Sequence, residues 1–351
     1  MVRLLASLSL VAMLLRPDTA NAQQRTLDIY WIDVEGGAAT LIISPSGESM
    51  LIDAGYETEG RDAKRIFDVA QKAGLRRIDT FVLSHFHGDH AGGIGALAKM
   101  MPIGHCYDRG DFIEPMNQHW RDVYLSACGD RRTVVHAGET IPLKGVRVDA
   151  VASNGELIRG SVNKGGQKNP LCATAQNHPK DQAENQLMLS ALLTFGKFTF
   201  LDLADLDWEK EMEFACPVNK LGRVTVYQAG RHGALDGAGA PGFLYAIAPQ
   251  VIIVNNGPRK GLWAPTGRGT VKPETDQFDR LAKTPGVEGI WQGHRALFDA
   301  NPAHNTQADM IANEEETANC QGHWIRASVE PGGRFTVFNS RNGFSKSYTA
   351  R

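Results

Sequence analysis

Apolar and polar residues alternate over the first part of the chain in a pattern that predicts strands. Alternation runs through residues 26–32 (TLDIYWI), and shorter apolar segments follow at 39–43 and 50–53, on either side of a turn sequence at 45–47. Period-two alternation is typical of half-buried strands, and a Pro-Ser-Gly turn joins close neighbours. The pattern therefore predicts an antiparallel meander, followed by an amphipathic helix over 60–73, where apolar side chains recur at helical spacing.

A short apolar strand is predicted at 78–83, and it leads directly into the segment 84–90 (SHFHGDH). A glycine-rich stretch and a helix beginning near residue 95 come next. Functional sites of layered α/β folds lie at the carboxyl ends of strands, where loops present side chains on a rigid frame. The order of strand, histidine-rich loop and helix therefore predicts a site at this strand end.

The rest of the chain predicts a mixture of strands and helices. The predicted elements are a helix around 118–126, a hairpin of 187–194 with 197–203, strands at 224–228, 251–254 and 287–291, a helix at 274–282 and a C-terminal hairpin of 323–329 with 334–339. Residues 153–184 are rich in Gly, Asn, Lys and Pro, which predicts a long surface excursion near the entrance of the site. Since no repeat or linker interrupts the pattern, we expect a single domain over 23–351 that includes the C-terminal hairpin.

An export signal is predicted at 1–22. Arg3 precedes an apolar stretch at 4–15, Pro17 follows, and the residues 20–22 (ANA) match a small-x-small cleavage pattern. The apolar stretch is too short to span a bilayer comfortably, although a buried helix or an uncleaved anchor is the alternative. After cleavage the chain would be periplasmic or secreted, and no later segment is apolar for long enough to cross a membrane.

Composition narrows the possible partners and the compartment. Lys plus Arg number 37 and Asp plus Glu number 39, so the net charge of −2 predicts no stable complex with nucleic acid, although a cleft can still be locally positive. The five cysteines suit an oxidising compartment, and their wide spacing does not match a zinc-binding C-x-x-C array. One or two disulfides with at least one thiol left over are predicted, and buried free cysteines are an equally good interpretation.

The loop at 84–90 carries the candidate chemistry. His85 and His87 are two residues apart, so on an extended loop both side chains point the same way and can bind one cation. Asp89 and His90 follow and can reach a second cation, and Asp89 can also orient a water or carry a proton as a catalytic residue. Imidazole nitrogens and carboxylate oxygens are suitable zinc ligands. The alternative, an accidental histidine-rich surface loop, does not explain why the segment follows a buried strand directly.

More distant residues are needed to complete a two-metal site. Asp205 stands at the end of the strand predicted at 197–203, and His232 follows the strand at 224–228. Asp202 is a local competitor, but we expect it to lie mid-strand with its side chain pointing away. His178 and His294 are weaker candidates for the same pocket.

These residues, in this order, resemble the motif series of the metallo-β-lactamase superfamily. The series consists of 51–55 (LIDAG), His85-x-His87-x-Asp89-His90, then Asp205 and His232. The flanks 32–38 (IDVEGGA), Asn185 ahead of a hairpin turned at Gly196, and 231–233 (RHG) look closest to the competence-protein type found in DNA-uptake proteins. The resemblance covers about residues 27–256, and it implies a four-layer αββα sandwich of the α/β class that binds two divalent cations, normally Zn²⁺.

The resemblance also implies roles for residues around the metals. Asp53 would hold the histidine loop from behind the ligands, although it can also be a simple turn residue. Asp33 has the same two interpretations. Asn185 stands near the place where many members have a further histidine, so either Asn185 or His178 would complete the first site. Arg231 stands where relatives often carry a histidine, and it could instead bind an anionic substrate.

The predicted function is hydrolysis by a metal-bound hydroxide, with a phosphodiester, ester, lactone or amide as substrate. The competence-type flanks favour a phosphodiester, as do Arg231 and the basic residues Arg259 and Lys260 of a loop that follows the strand at 251–254; an ordinary turn is the alternative for that loop. A β-lactamase is a second hypothesis. A third is a non-catalytic periplasmic binding or assembly protein with a degraded site, which Asn185, Arg231 and Ala204 would favour.

Overall fold

The computed structural model of the protein describes residues 26–111, 113–175, 183–234, 237–262, 277–297 and 301–351. The predicted export signal, His178 and most of the stretch before the helix predicted at 274–282 therefore lie outside the described residues. Within them the α-helices are α1 (Arg61–Lys72), α2 (Gly88–Ala91), α3 (Ile94–Met100), α4 (Gln118–Cys128), α5 (Ala183–Gln186), α6 (Trp208–Ala215), α7 (Pro241–Ile247) and α8 (Gln277–Ala282).

The strands form two large sheets and one small pair. In chain order they are β1 (Leu27–Trp31), β2 (Thr40–Ile43), β3 (Ser49–Ile52), β4 (Ile78–Val82), β5 (Ile103–Asp108), β6 (Arg132–Val134), β7 (Arg147–Ser153), β8 (Glu156–Leu157), β9 (Gln167–Lys168), β10 (Ser190–Phe195), β11 (Phe198–Asp202), β12 (Val218–Asn219), β13 (Val226–Gln228), β14 (Val251–Val254), β15 (Gly289–His294), β16 (Ile311–Asn313), β17 (Ile325–Val329), β18 (Arg334–Asn339) and β19 (Ser345–Thr349).

The first sheet has the strand order β19-β18-β17-β1-β2-β3-β4-β5-β6. The strands β1, β2 and β3 pair antiparallel, which confirms the predicted meander. From β3 to β6 the pairing is parallel, so the carboxyl end of β4 opens at one edge of the sheet. The predicted C-terminal hairpin is β17 with β18, and it extends this sheet beyond β1.

The second sheet has the order β16-β15-β14-β13-β11-β10-β7-β8. The strands β10 and β11 form the predicted antiparallel hairpin, and from β11 to β16 the pairing is parallel. The loops after β11, β13 and β14 therefore leave the sheet at the same edge. This parallel run is what brings residues from distant parts of the chain to one place.

Apolar side chains form three layers of core, which confirms the predicted αββα sandwich. One cluster lies between the two sheets and includes Trp31 and Phe200, whose ring centroids are 5.4 Å apart. A second cluster lies under α6 and α7 on the outer face of the second sheet. The third lies under α1, α3 and α4 on the outer face of the first sheet, where Ala63 and Ile66 bury the predicted face of α1. Both sheets are thus covered by helices on one face and by each other on the other face.

Several elements differ from the prediction. The strands β5, β6 and β7 were not predicted, because short strands that contain charged residues lack a clear period. The strand predicted at 287–291 runs instead over β15, since its pairing with β14 and β16 continues to His294. Within 153–184 the described residues form the short strands β8 and β9 and a 3-10 turn, with many exposed side chains, as expected of a surface excursion.

Two disulfides are present, Cys106–Cys128 and Cys172–Cys216, and Cys320 has a free thiol. This agrees with the prediction of one or two bridges and a leftover cysteine. The second bridge ties the surface excursion to the end of α6. Of the helices described, none combines the length and the apolar character that crossing a membrane requires.

Candidate metal centre

The histidine loop begins immediately after β4 and turns into α2. His87 has extended backbone angles and stands directly before the helix, so His85 and His87 project in the same direction. His85 Nε2 lies 2.8 Å from His87 Nδ1. His85 is fully buried and His87 partly so. The two imidazoles therefore present their nitrogens to one shared space, as the two-residue spacing predicts.

The first turn of α2 supplies the next two side chains. His90 Nε2 lies 3.5 Å from the Asp89 carboxylate and 3.6 Å from the carboxylate of Asp205, which comes from the loop after β11. His232, in the 3-10 turn after β13, places Nε2 3.1 Å from Asp89 and 3.4 Å from Asp205. The parallel edge of the second sheet thus delivers Asp205 and His232 to the histidine loop of the first sheet.

Backbone strain accompanies this convergence. Ala204, Arg231 and His232 have φ values of 50°, 52° and 57°, a left-handed region that non-glycine residues rarely occupy. Residues held in this way cluster at functional sites, because the surrounding structure has to impose the conformation. The positive φ of Ala204 ends β11 at Asp202 and turns Asp205 toward the histidines.

The ligand atoms fall into two groups that share Asp205. The atoms of each group lie within 4.8 Å of one another: Asp89, His90, Asp205 and His232 in one, and His85, His87 and Asp205 in the other. Zinc ligands at the usual metal distances stand about 3.3 Å apart across a tetrahedral angle. The separations around His90 and His232 are close to this value. His90 Nε2 is also buried and has no hydrogen-bond partner among the described residues. The residues present therefore fit divalent cations.

Asp53 lies behind the histidine loop. Its carboxylate accepts hydrogen bonds from Ser84 N at 2.8 Å and from Ser84 Oγ at 2.7 Å, and it lies 2.7 Å from His90 Nδ1. Carboxylates that hold the outer nitrogen of a metal-binding imidazole fix both the ring orientation and its tautomer. The geometry is that of the supporting role inferred for Asp53 from the sequence.

Asp202 corrects one expectation. It is the last residue of β11 rather than a mid-strand residue, and its buried carboxylate accepts hydrogen bonds from Ala204 N and from Gln228 Nε2. Burial, with Asp53 and Asp205 nearby, raises the pKa of the Asp202 carboxyl to about 7. The side chain therefore faces the candidate centre from behind, where the sequence prediction had it pointing away.

The charges of the centre depend on one another. Burial would raise the pKa of the Asp89 carboxyl, but Lys260, His90 and His232 together hold it well below its usual range. In the same way burial is outweighed at Asp205, where His232 and His90 lower the pKa of the carboxyl. Both carboxylates are therefore ionised and available as ligands.

The histidines show the opposite balance. Burial lowers the pKa of the His85 imidazole well below its usual value, with neighbouring His90 and His87 acting in the same direction. Burial also lowers the pKa of the His90 imidazole, but the carboxylates of Asp89, Asp205 and Asp53 outweigh it and raise this pKa well above its usual value. The carboxylates of Asp89 and Asp205 attract a proton to the buried imidazole of His90. The same negative charge would attract a metal cation to this place.

Lys260 enters the centre from the loop after β14, whose basic residues the sequence predicts as candidates for binding a phosphodiester. Its ammonium group contacts the Asp89 carboxylate and donates a hydrogen bond to Tyr56 Oη at 2.7 Å. It also lies 5.0 Å from the centroid of the Tyr56 ring. Burial and Asp89 raise the pKa of the Tyr56 phenol to about 12, so Tyr56 stays protonated. Tyr56 belongs to no recognisable motif, so the sequence did not predict its place in the centre.

A buried ion pair, which the sequence also did not predict, supports the histidine loop. Arg109 and Glu184 form an ion pair and are both fully buried. Glu184 Oε1 also accepts a hydrogen bond from Phe86 N at 3.0 Å, and the Arg109 guanidinium lies over the Phe86 ring. This pair fixes the backbone between His85 and His87. A single sequence gives no signal for a contact between residues 75 apart.

The other predicted site residues are distributed around the centre or away from it. Asn185 is buried in α5, next to Glu184, whose carboxylate supports the histidine loop at Phe86. The Arg231 guanidinium packs so tightly on Gly237 that a side chain there would collide with it. His294 lies with Asp33 and Cys320 instead of with the six converging residues. The choice between Asn185 and His178 stays open, since His178 is outside the described residues.

Residues 32–152 match the family profile described as the metallo-beta-lactamase superfamily. This stretch of the chain carries a metallo-β-lactamase superfamily domain. The match contains the histidine loop, while Asp205 and His232 lie beyond it and join the loop through the second sheet. Members of this superfamily are generally metal-dependent hydrolases, and the resemblance to the superfamily that the sequence predicted is confirmed.

Individual relatives of the metallo-β-lactamase domain are distant. Recombination protein 2 of Haemophilus influenzae is 24% identical over 234 residues, which cover 66% of this chain and 24% of that protein. The chain therefore spans about a quarter of the length of this relative. The metallo-beta-lactamase fold protein YhfI of Bacillus subtilis matches 86% of this chain and 99% of its own at 11% identity and a TM-score of 0.44. A metallo-beta-lactamase of Staphylococcus aureus matches 52% and 43% at 19% identity and a TM-score of 0.33.

Proposed function

We propose that this chain is an exported, zinc-dependent hydrolase that cleaves a phosphodiester or a related ester. The observation that supports this most directly is the convergence of six ligand side chains from three distant stretches, with Asp205 shared by both groups. Divalent cations held by such ligands make a bound water nucleophilic near neutral pH and stabilise negative charge on the substrate oxygen under attack. The superfamily match supports the reaction class, and the substrate is our inference.

The residues of the chain would divide the remaining work. Asp89 is ionised and lies at the meeting point of Lys260 and His232, so it can orient a water and accept its proton. Asp53 and Ser84 hold His90 in place through hydrogen bonds, and the buried Glu184 holds the loop at Phe86. The ligands are therefore fixed before substrate binds, which limits the reorganisation that the reaction requires.

Lys260 supports an anionic substrate. The Lys260 side chain is 40% exposed, so Lys260 can contact a ligand while its ammonium group remains beside Asp89. A lysine in this position provides a point charge that suits a phosphate oxygen. Arg259, which was predicted for the same role, is paired with Glu316 on the surface. Of the two basic residues of this loop, Lys260 is the better candidate for substrate recognition.

Export is supported by the two disulfides. Bonds of this kind persist in oxidising compartments such as the periplasm, and they are rare in the cytosol. A periplasmic or secreted location would also agree with the export signal predicted at 1–22.

The central test is metal analysis combined with hydrolysis assays on the purified chain. We expect bound zinc and turnover of a chromogenic phosphodiester, and we expect His87→Ala and Asp205→Ala each to lower turnover at least about a hundredfold because the cations are lost. His105→Ala is the matched control, since His105 lies on β5 and its side chain interacts with Thr133. Zinc-free wild-type protein, or turnover that survives both centre substitutions, would refute the proposal and favour the non-catalytic hypothesis.

The substrate class is tested by a neighbouring pair of substitutions. We expect Lys260→Met to raise KM for an anionic phosphodiester more than for a neutral ester, because the ammonium group recognises charge. Arg259→Met should leave both substrates unaffected, since Arg259 faces Glu316. Parallel screens with lactone and cephalosporin substrates address the β-lactamase hypothesis. An equal effect of Lys260→Met on charged and neutral substrates would rule out recognition of an anion by this residue.

A further inference from the structure

Three side chains that do not belong to the candidate metal centre bring an oxygen, a nitrogen and a sulfur together. Asp33 follows β1, His294 ends β15, and Cys320 lies in the segment before β17. Their ligand atoms all lie within 4.8 Å of one another. Asp33 and His294 are buried and Cys320 is partly buried. The cluster therefore joins residues up to 287 positions apart in a largely buried place.

The separations are close to those of ligands around one small cation. Asp33 Oδ2 lies 3.0 Å from His294 Nε2 and 3.3 Å from Cys320 Sγ, and Cys320 Sγ lies 3.6 Å from His294 Nε2. With usual zinc–ligand distances, tetrahedral geometry places oxygen and nitrogen about 3.3 Å apart and sulfur about 3.5 Å from either. The triangle of donor atoms therefore has the size of one face of a tetrahedral zinc site.

The surroundings supply further polar contacts. Asn313 Oδ1 lies 3.6 Å from Cys320 Sγ, and Gly322 N donates a hydrogen bond to the same sulfur at 3.4 Å. Arg65 donates to Asp33 Oδ2 at 3.0 Å, so a cation would share this carboxylate oxygen with a guanidinium. Outer hydrogen bonds of this kind commonly orient metal-binding carboxylates. A fourth ligand can come from Asn313 or from water.

We propose that Asp33, His294 and Cys320 bind a single thiophilic divalent cation such as Zn²⁺, separate from the cations of the candidate metal centre. Mixed sulfur, nitrogen and oxygen ligands favour zinc over magnesium or calcium. Such a cation would fasten the segment before β17 to the loop after β1. That loop contacts the catalytic centre, because Ala38 N donates to Asp89 O at 3.0 Å. The role of the site is therefore structural support behind Asp89.

The competing explanation is a cluster held together by hydrogen bonds alone. In that case His294 and the Cys320 thiol both donate to Asp33, and burial raises the pKa of the thiol to about 12, so that it stays protonated. The two explanations differ in whether the sulfur binds metal. This difference can be measured without any assay of activity.

Cobalt substitution is the first test. The full chain is stripped of metal with a chelator and titrated with Co²⁺, and we expect a sulfur-to-cobalt charge-transfer band in the near ultraviolet. None of the six residues of the catalytic centre is a cysteine, so the band reports Cys320 alone among the described ligands. It should persist in His87→Ala and disappear in Cys320→Ser, which should also contain about one zinc ion fewer. No band at saturating Co²⁺, or a band that survives Cys320→Ser, would overturn the proposal.

Alkylation of the wild-type chain provides a second test that does not depend on the folding of a variant. Cys320 is the free thiol, since the other four cysteines form disulfides. We expect zinc to slow the reaction of Cys320 with iodoacetamide at least about tenfold relative to stripped protein, both in the wild type and in Asp205→Ala. Equal alkylation rates with and without zinc would refute a metal at this site, whatever the outcome at the catalytic centre.

Discussion

Substitution of Asp53 tests whether the residues behind the ligands control metal binding. Asp53→Asn keeps the shape of the side chain and removes its charge. The backbone tolerates the change, because Asp53 has a φ of 60° and asparagine adopts this region more readily than most residues. Asparagine can keep only some of the hydrogen bonds that Asp53 makes with Ser84 and His90. The His90 ring therefore loses a charged acceptor at Nδ1.

The magnitude follows from the position of Asp53. Loss of a hydrogen-bonding partner behind a metal-binding histidine costs about 10–100-fold in metal affinity. This is about 1.4–2.7 kcal/mol of binding free energy. We expect the upper part of this range, because Asp53 is only 1% exposed and water cannot replace the lost charge.

The assay is competition for zinc against a chromogenic chelator, fitted for the site that His232→Ala removes, because His232 belongs to the same ligand group as His90. Asp79→Asn is the matched control, because Asp79 Oδ2 also accepts hydrogen bonds from a serine amide and hydroxyl, those of Ser49 at 3.0 and 2.9 Å, away from any ligand histidine. We expect Asp79→Asn to retain wild-type affinity. Unchanged zinc affinity in Asp53→Asn, or an equal loss in both variants, would refute a specific role of Asp53.

Three other substitutions test the scaffold. Burial raises the pKa of Glu211 to about 8 from 4.5, so the folded chain retains a proton that the unfolded chain releases, and the free energy of unfolding falls as pH rises between these values. Glu211→Gln should remove this decline in urea denaturation, and identical pH slopes would contradict it. Replacing Cys106 and Cys128 by alanine should lower the free energy of unfolding by about 3 kcal/mol, because the bridge closes a loop with a separation of 22 residues; an unchanged urea midpoint would disprove this. Gly93→Ala should destabilise by about 1–3 kcal/mol, because its Cβ would lie 2.0 Å from Ala54 O, whereas Gly160→Ala has open space; equal stabilities would refute the steric argument.

The parts of the molecule that were predictable from the sequence are those with a local signal. The meander, the β10–β11 hairpin and α1 each follow from a repeat of apolar residues over a short stretch. The histidine loop was recognisable because its ligands lie within six residues and directly follow a buried strand. Asp205 and His232 were predictable because each follows a strand of the second sheet, and parallel strands end at a common edge.

The residues whose place was missed, or predicted only in part, act through contacts between distant segments. Lys260 contacts Asp89, which is 171 positions away in the sequence. A lysine in a glycine-rich loop has the same local sequence whether its side chain faces solvent or a carboxylate, so the sequence does not reveal this contact. Asp202 was misplaced because its local sequence gives no sign that β11 ends at this residue. Cys320 has no local sequence feature that sets it apart from the other cysteines, and only its neighbours Asp33 and His294 do so. In each case the local sequence around the side chain is ordinary, and residues from a distant part of the chain determine its environment. The second sheet therefore contributes as much to the chemistry of the centre as the histidine loop does.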